Sequence, residues 1–369
     1  MRIAYVALGV EPKNMTGGVG RKIESQTTIW TEMGHTARLF ALVPDYQKPG
    51  VYSYGATSSV PVLREITRAV SRSRALGRML ADVGEFQADV IYLRCGAYIF
   101  PLHELFRLAP VVMELNTNDI AESAGRGRYA YWFNLLTRGS LLRRAAGLVA
   151  VTQEIADIPE NRRYGKPTRA IGNGIDLRQY KPLPAPKNEC PVITLVGSPR
   201  QPWHGADKLI RLAEKCGDLK VDIVGYGRSD IPGKVPENVE LHGFLDEAGV
   251  RGVLAKSDVA CGSLAIHRTS MKEASSLKVR EALAYGIPVM FGYRDMDFAD
   301  SKSECILELP CTEDNVQSHA DQIRAFAYKM RGKRVQRGDV ASRIDQRAKE
   351  EARLAFLEQV VENRRHAGS

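Results

Sequence analysis

No stretch of this chain is apolar for long enough to cross a bilayer. The longest runs, such as Gly147-Leu-Val-Ala-Val-Thr152 and Ile287-Pro-Val-Met-Phe291, fall far below the roughly 20 residues of a membrane helix. A transmembrane anchor is therefore not expected. The opening residues, Met1-Arg-Ile-Ala-Tyr-Val-Ala-Leu8, carry one positive charge and lack a small-residue cleavage site. They read as a strand and not as a signal peptide, and the expected location is the cytoplasm. Cysteine is sparse: Cys95, Cys190, Cys216, Cys261, Cys305 and Cys311 form no C-x-x-C pair and have no histidine at ligand spacing. Neither a disulfide framework nor a zinc site is indicated. There is no solenoid-period repeat and no low-complexity tract. With 44% hydrophobic and 26% charged residues, the composition excludes collagen, coiled-coil and disordered classes.

What is present is enough chain for two cores, since 369 residues exceed what one hydrophobic interior usually organises. Short Val/Ile/Leu-rich runs near 2–8, 36–42, 89–94, 110–116, 147–152 and 168–172 alternate with helix-length segments and read as buried parallel strands. Ile23, Thr27, Trp30 and Met33 follow helical spacing, and Gly34 stands where a C-cap glycine belongs. A second alternating series places strands near 192–197, 220–225, 238–242, 258–262, 287–291 and 305–309. The three prolines of Lys181-Pro-Leu-Pro-Ala-Pro-Lys187 suit a stiff connector between the two series. The expected fold class is therefore α/β, with Rossmann-like doubly wound domains at 1–180 and 191–338 and a linker at 181–190. A charged tail at 339–369 reads as a helix with a buried stripe of Ile344, Ala348, Ala352, Phe356 and Val360.

The basic excess is concentrated in the first domain. Residues 1–180 carry 23 Lys and Arg against 16 Asp and Glu, and the remainder 29 against 27. Arg64, Arg68, Arg72, Arg74 and Arg78 crowd one predicted helix. Arg126, Arg128, Arg138, Arg143 and Arg144 are interleaved with Tyr129, Tyr131, Trp132 and Phe133. Such a surface is either a solvated face or a contact with an anionic partner, including peripheral contact with the inner face of a membrane. No nucleic-acid module accompanies it.

Open α/β sheets bind ligands at the carboxyl ends of their strands, so chemistry is expected in post-strand loops. After the first strand, Gly17-Gly18-Val19-Gly20 precedes a helix whose amides can meet a phosphate. The strongest segment is Met271-Lys272-Glu273-Ala274-Ser275-Ser276-Leu277-Lys278-Val279-Arg280-Glu281. A helix starting near Leu277 is capped by Ser275 or Ser276, buries Val279, Ala282 and Leu283 and stops at Gly286. Its first amides with Lys278 form an anion cradle that Glu273 and Glu281 bracket. Asp295-Met296-Asp297 matches a metal-binding D-x-D but reads as chance, and no metal is expected.

Glu273 and Glu281, followed by Ala284-Tyr-Gly-Ile-Pro-Val289, resemble the E-x7-E motif of retaining GT-B glycosyltransferases of glycosyltransferase family 4. Gly172-Asn-Gly-Ile-Asp176 and the strand Val192-Ile-Thr-Leu-Val-Gly197 extend the resemblance over both domains. It implies transfer of a sugar from a nucleotide-diphosphate donor to a glycan, lipid-linked or small-molecule acceptor. The donor lies on the second domain, and the terminal helix returns to the first. Glu273 would hold the donor sugar and Glu281 the ribose. Lys278 and Arg200 would stabilise the leaving diphosphate. Gly18, Gly197, His204, Ser276, Leu277 and Val279 would line the donor site, and Gly17, Gly20, Asn116 and Asn118 the acceptor or sugar side. Two stretches depart from the pattern. Gly197-Ser-Pro-Arg200-Gln-Pro-Trp203-His204-Gly205 replaces G-R-x-x-x-x-K-G, so a partly protonated His204 takes the place of a lysine. Glu114-Leu-Asn116-Thr-Asn118-Asp119 stands where relatives carry a histidine. A GT-B epimerase or phosphorylase, or a non-catalytic sugar-binding subunit, is the alternative.

Overall fold

The computed structural model describes residues 1–9, 18–46, 51–94, 96–301 and 303–368. The chain divides into two compact units, one of residues 1–172 with 347–369 and one of residues 173–346. In the first, seven strands form an all-parallel sheet: β1 (Arg2–Ala7), β2 (Thr36–Pro44), β3 (Val51–Tyr54), β4 (Val90–Arg94), β5 (Val111–Leu115), β6 (Gly147–Ala150) and β7 (Thr168–Ala170), in spatial order 3-2-1-4-5-6-7. β1 and β4–β6 are buried almost throughout. That is why they read in sequence as unbroken apolar runs. The edge strand β3 went unpredicted because Val51-Tyr-Ser-Tyr54 is only half-buried.

Helix Gly18–Glu32 buries Ile23, Ile29 and Trp30 and ends at Gly34, whose φ of +86° is the left-handed conformation the C-cap requires. The first unit is completed by the last helix, Gln346–Gly368, whose Leu354, Phe356, Leu357, Val360 and Val361 join the core of β1, β4 and β5. Ala348 and Ala352 are exposed, so the predicted stripe was misplaced. The buried stripe is partly charged. Glu350 accepts from Trp30 Nε1 (2.8 Å) and Gln26 Nε2 (3.3 Å) and pairs with Arg353 (2.6 Å), which also donates to Tyr92 Oη (3.0 Å). Both charged residues are about 1% exposed, and an apolar-periodicity search passes over such residues.

The second unit has six parallel strands: β8 (Val192–Val196), β9 (Lys220–Val224), β10 (Val239–Gly243), β11 (Val259–Cys261), β12 (Val289–Phe291) and β13 (Ile306–Glu308), in spatial order 10-9-8-11-12-13. Its core is built on Ile193, Leu195, Leu209, Val221, Ile223, Val259 and Met290. The proline-rich segment expected as a linker belongs to this unit. Leu183 N donates to the Tyr285 carbonyl (2.9 Å), and Asn188 Nδ2 to Lys256 O and Asp258 Oδ2 (both 2.7 Å). The boundary therefore falls at 172/173 and not at 181–190, because these hydrogen bonds bind the segment to the second sheet's loops. The tail likewise splits: Arg337–Ile344 is a separate helix of the second unit. No helix among the described residues is long and apolar enough to cross a membrane.

Candidate functional site

In each sheet the strand order reverses once, between β1 and β4 and between β8 and β11, and a ligand crevice opens at the carboxyl ends of such strands. In the second unit, the loop after β8 begins at Gly197. A side chain there would come within 2.7 Å of the Tyr226 ring and 3.1 Å of His204 Nδ1, so only glycine lets the turn close. The loop ends in the 3-10 turn Pro202–His204, where His204 is 4% exposed. Ser198 N donates to His204 Nδ1 (3.0 Å), and the other ring nitrogen, Nε2, lies 2.8 Å from Lys278 Nζ. Burial, reinforced by Lys278, lowers the His204 pKa to about 3. The partial protonation expected of His204 is thus corrected: the ring is neutral at pH 7. Burial also lowers Lys278, to about 8. Arg200 is exposed at the head of the same loop.

Lys278 lies in the first turn of helix Leu277–Ala284. Ser276 is its N-cap by backbone angle but makes no side-chain capping bond, so the hydroxyl leaves the first-turn amides of Leu277, Lys278 and Val279 to other acceptors. Ser275 is engaged elsewhere: its Oγ accepts from Asn173 N (2.7 Å) and its carbonyl from Asn173 Nδ2 (2.5 Å). Val279, Ala282 and Leu283 are buried and Gly286 ends the helix at φ +81°, as their sequence pattern required. Glu281 is half-buried on this helix. Glu273, also half-buried, stands in a segment pinned beyond β12 by Arg294 N to Lys272 O (2.9 Å) and Ala274 N to Arg294 O (3.1 Å).

Arg280 explains how these loops are held, and the sequence reading assigned it nothing. Fully buried, it pairs with Asp295 through both guanidinium nitrogens, one at 2.8 Å, with Asp297 at 2.7 Å, and donates Nε to the Asn173 carbonyl (3.1 Å). Asp295 and Asp297 are thus spent on a guanidinium. The signal available in sequence was two carboxylates fifteen and seventeen residues after an arginine on an otherwise apolar helix face. Among the described residues, Asp222, Glu240 and His242 are the one trio with ligand atoms within 4.8 Å of one another. They sit on β9 and β10, where His242 turns Nε2 to Asp222 (3.2 Å) and Nδ1 to Glu240 (3.6 Å). The two ring nitrogens face different carboxylates at ion-pair distance.

In the first unit, Gly17 lies outside the described residues, while Gly18 and Gly20 begin helix Gly18–Glu32. Beside the reversal point, Glu114 is buried against Lys22 (2.8 Å) and Arg94 (3.0 Å) and accepts from Asn116 Nδ2 (3.1 Å). Burial raises its pKa, but the adjacent cations outweigh burial and hold the carboxyl well below the usual range. Asn118 Oδ1 caps helix Asp119–Gly125 through Ala121 N (3.1 Å). Asn116 and Asn118 therefore have local partners.

Of the two arginine groups, Arg138 is no surface residue: it is 7% exposed and paired with Asp119 (2.7 Å). The others remain on the surface, and beside them Val62, Leu63, Ile66 and Val70 on helix Pro61–Phe86 and Tyr129, Trp132, Phe133 and Leu136 on helix Arg128–Arg144 are exposed. Phe100, 65% exposed, lies between them: its carbonyl accepts from Ser73 on the first helix (2.8 Å), and the neighbouring Tyr98 feels the charge of Arg144 on the second.

Removing Asp295 leaves Arg280 buried without its main counter-charge, so Asp295→Ala is expected to destabilise the second unit by about 3–5 kcal/mol. Urea unfolding checks this; a loss below about 1 kcal/mol would show that Arg280 is held by Asp297 and the Asn173 carbonyl alone.

Residues 17–174 match a family model described as a glycosyl transferase 4-like domain; Glu273 to Met290 lie beyond the match. Sequence comparison with curated proteins finds no match. Among solved structures, the chain is similar to sucrose-phosphate synthase from Thermosynechococcus elongatus, at TM-score 0.65 and 14% identity, covering 100% of each chain. It is similar to HepE of Anabaena in complex with UDP-glucose, at TM-score 0.60 and 14% identity over 97% of this chain and 100% of that one. It is also similar to the lipopolysaccharide outer core galactosyltransferase WaaB, at TM-score 0.63 and 11% identity over 96% and 99%. At such identities these are likenesses of fold.

Proposed function

Since this chain is a glycosyltransferase of GT-B type, with a glycosyl transferase 4-like domain over residues 17–174, we propose that its second unit binds a nucleotide-diphosphate sugar and its first an acceptor hydroxyl. The observation that carries the reading is helix Leu277–Ala284. It starts without a side-chain cap at the carboxyl side of the strand-order reversal and sets Lys278 against the loop that follows Gly197. HepE, of similar fold, was solved with UDP-glucose, which supports a nucleotide sugar as the ligand class.

In this reading the diphosphate meets the amides of Leu277, Lys278 and Val279, the Lys278 side chain and the exposed Arg200. Glu273 holds hydroxyls of the donor sugar and Glu281 those of the ribose. Transfer proceeds with retention: the bond from the anomeric carbon to the diphosphate oxygen breaks, the acceptor oxygen attacks the same face, and the departing phosphate oxygen takes the acceptor's proton. The protein contributes position and positive potential, which raise the rate only where they grip the leaving group more tightly as its charge develops. No metal takes part, a reading supported by the engagement of Asp295 and Asp297 with Arg280. The arginine-rich, aromatic-bearing face of the first unit rests on an anionic membrane surface, where a lipid-linked acceptor resides.

Three outcomes test this. Glu273→Gln should leave affinity for free nucleoside diphosphate nearly unchanged while depressing turnover. Glu281→Gln should weaken the diphosphate itself by about 1.5–3 kcal/mol, the value of a hydrogen bond to a charged group. Calorimetry of both variants with UDP and with UDP-glucose separates them, and equal loss in both would remove the division of labour. Sugar transfer should persist in EDTA; activity abolished by chelation and restored by manganese would overturn metal independence. Sedimentation with liposomes should rise with anionic lipid and fall with salt, whereas equal, negligible binding to neutral and anionic vesicles would leave the arginines a solvated face.

A further inference from the structure

The contact between His204 and Lys278 sets a proton-counting problem. Ser198 N is a backbone donor, so His204 Nδ1, 3.0 Å away, must be the unprotonated ring nitrogen. A neutral imidazole then carries its hydrogen on Nε2. That Nε2–H faces Lys278 Nζ at 2.8 Å. Two donors cannot share such a contact; it is a hydrogen bond only if Nζ offers a lone pair. The imidazolium form is excluded by the same Ser198 bond and by burial of the ring. The arrangement is that of an uncharged lysine, at a position where the proposed function requires a cation.

We infer that, once the pH is high enough for Lys278 to give up its proton, His204 and Lys278 form a neutral imidazole–amine pair in the free protein, and that a diphosphate is then bound together with one proton, which Lys278 takes up. The inference rests on the donor reading given above. The balance is simple. Nζ gains a proton from solvent and becomes an ammonium beside the phosphate oxygens. The His204 Nε2–H loses its lone-pair acceptor and turns to a phosphate oxygen, while Nδ1 keeps Ser198. His204 stays neutral throughout and serves as a hydrogen-bond donor that needs no charge of its own.

The groups facing the pair from the surrounding elements leave Lys278 as the one that titrates. Cys261 on β11 lies against Lys278, but burial pushes its thiol far up and keeps it protonated. Glu281, on the same helix as Lys278, favours the ammonium without overcoming burial. Tyr226, whose hydroxyl donates to Ser198 O (2.8 Å), is pushed by burial to about 12. Trp203 packs edge-on against the His204 ring and carries no charge. Lys278 itself is lowered to about 8 by burial. The sign follows. Below pH 8 the free site already holds the ammonium and binding takes up little. Above it, uptake approaches one proton per site and affinity falls about tenfold per pH unit, until the raised bound-state value is passed.

Titration calorimetry with UDP at pH 7 and 9, each in two buffers of different ionisation heat, reads this directly. Phosphate oxygens lose their last proton near pH 6, roughly, but the uracil N3–H also begins to ionise near pH 9, so the uptake that belongs to Lys278 is the difference between wild type and Lys278→Arg, which is charged throughout. That difference should approach one proton at pH 9 and none at pH 7. Wild-type uptake at pH 9 no greater than that of Lys278→Arg overturns the inference while leaving the donor reading intact. If none of UDP, ADP, GDP, CDP and dTDP binds, the donor reading fails, and the pair is decided on the free protein by nuclear magnetic resonance. A His204 Nε2–H tautomer with Lys278 titrating near 8 supports it; an Nδ1–H tautomer, or Lys278 titrating above 10, overturns it.

Discussion

A single buried guanidinium organises the second unit's candidate site. Arg280 leaves the helix that carries Lys278 and Glu281 and reaches both carboxylates after β12 and the Asn173 carbonyl. Asn173 in turn holds both the hydroxyl and the carbonyl of Ser275, one residue before the helix cap. The loop carrying Glu273, the helix start and the segment at 173 are thus tied to one charge that water does not reach. Isolated in a low-dielectric interior, a guanidinium is tolerable only with its hydrogen bonds filled, and filling them fixes where each loop must run.

Around that anchor, the site places its positive charge economically. His204 is neutral, Lys278 is depressed by burial, and Arg200 is exposed. Backbone amides supply the rest without any desolvated charge. The first unit solves the opposite problem: at the sheet's reversal point Lys22 and Arg94 converge on the single buried carboxylate of Glu114. The exposed arginines lie on helices whose apolar residues also face solvent.

How much of this could be read beforehand follows from what pattern can carry. Parallel strands buried on both faces announce themselves as apolar runs, so twelve of the thirteen strands were legible and the half-buried β3 was not. Glycine stops at Gly34 and Gly286 were legible because positive φ leaves few other choices. The helix bearing Lys278 and Glu281 was legible from cap and stop. The rest depended on pairings between residues far apart in sequence. The engagement of Asp295 and Asp297 by Arg280, the inward position of Arg138 and the neutrality of His204 all follow from burial and a partner, which local composition does not encode. The domain boundary was misplaced for a related reason: proline stiffness marks an extended segment, and hydrogen bonds to Tyr285 and Asp258 decide which body it belongs to.

The helix Gln346–Gly368 belongs to the core of the first sheet, and this has a consequence for synthesis. On the ribosome, β1 to β7 emerge before helix Gln346–Gly368, so the face of β1, β4 and β5 that receives Phe356, Leu357 and Val360 stays uncovered until that helix has been made. The second unit, contiguous from 173 to 346, can complete its own interior before the first can. The two units therefore finish folding in the reverse of the order in which they begin.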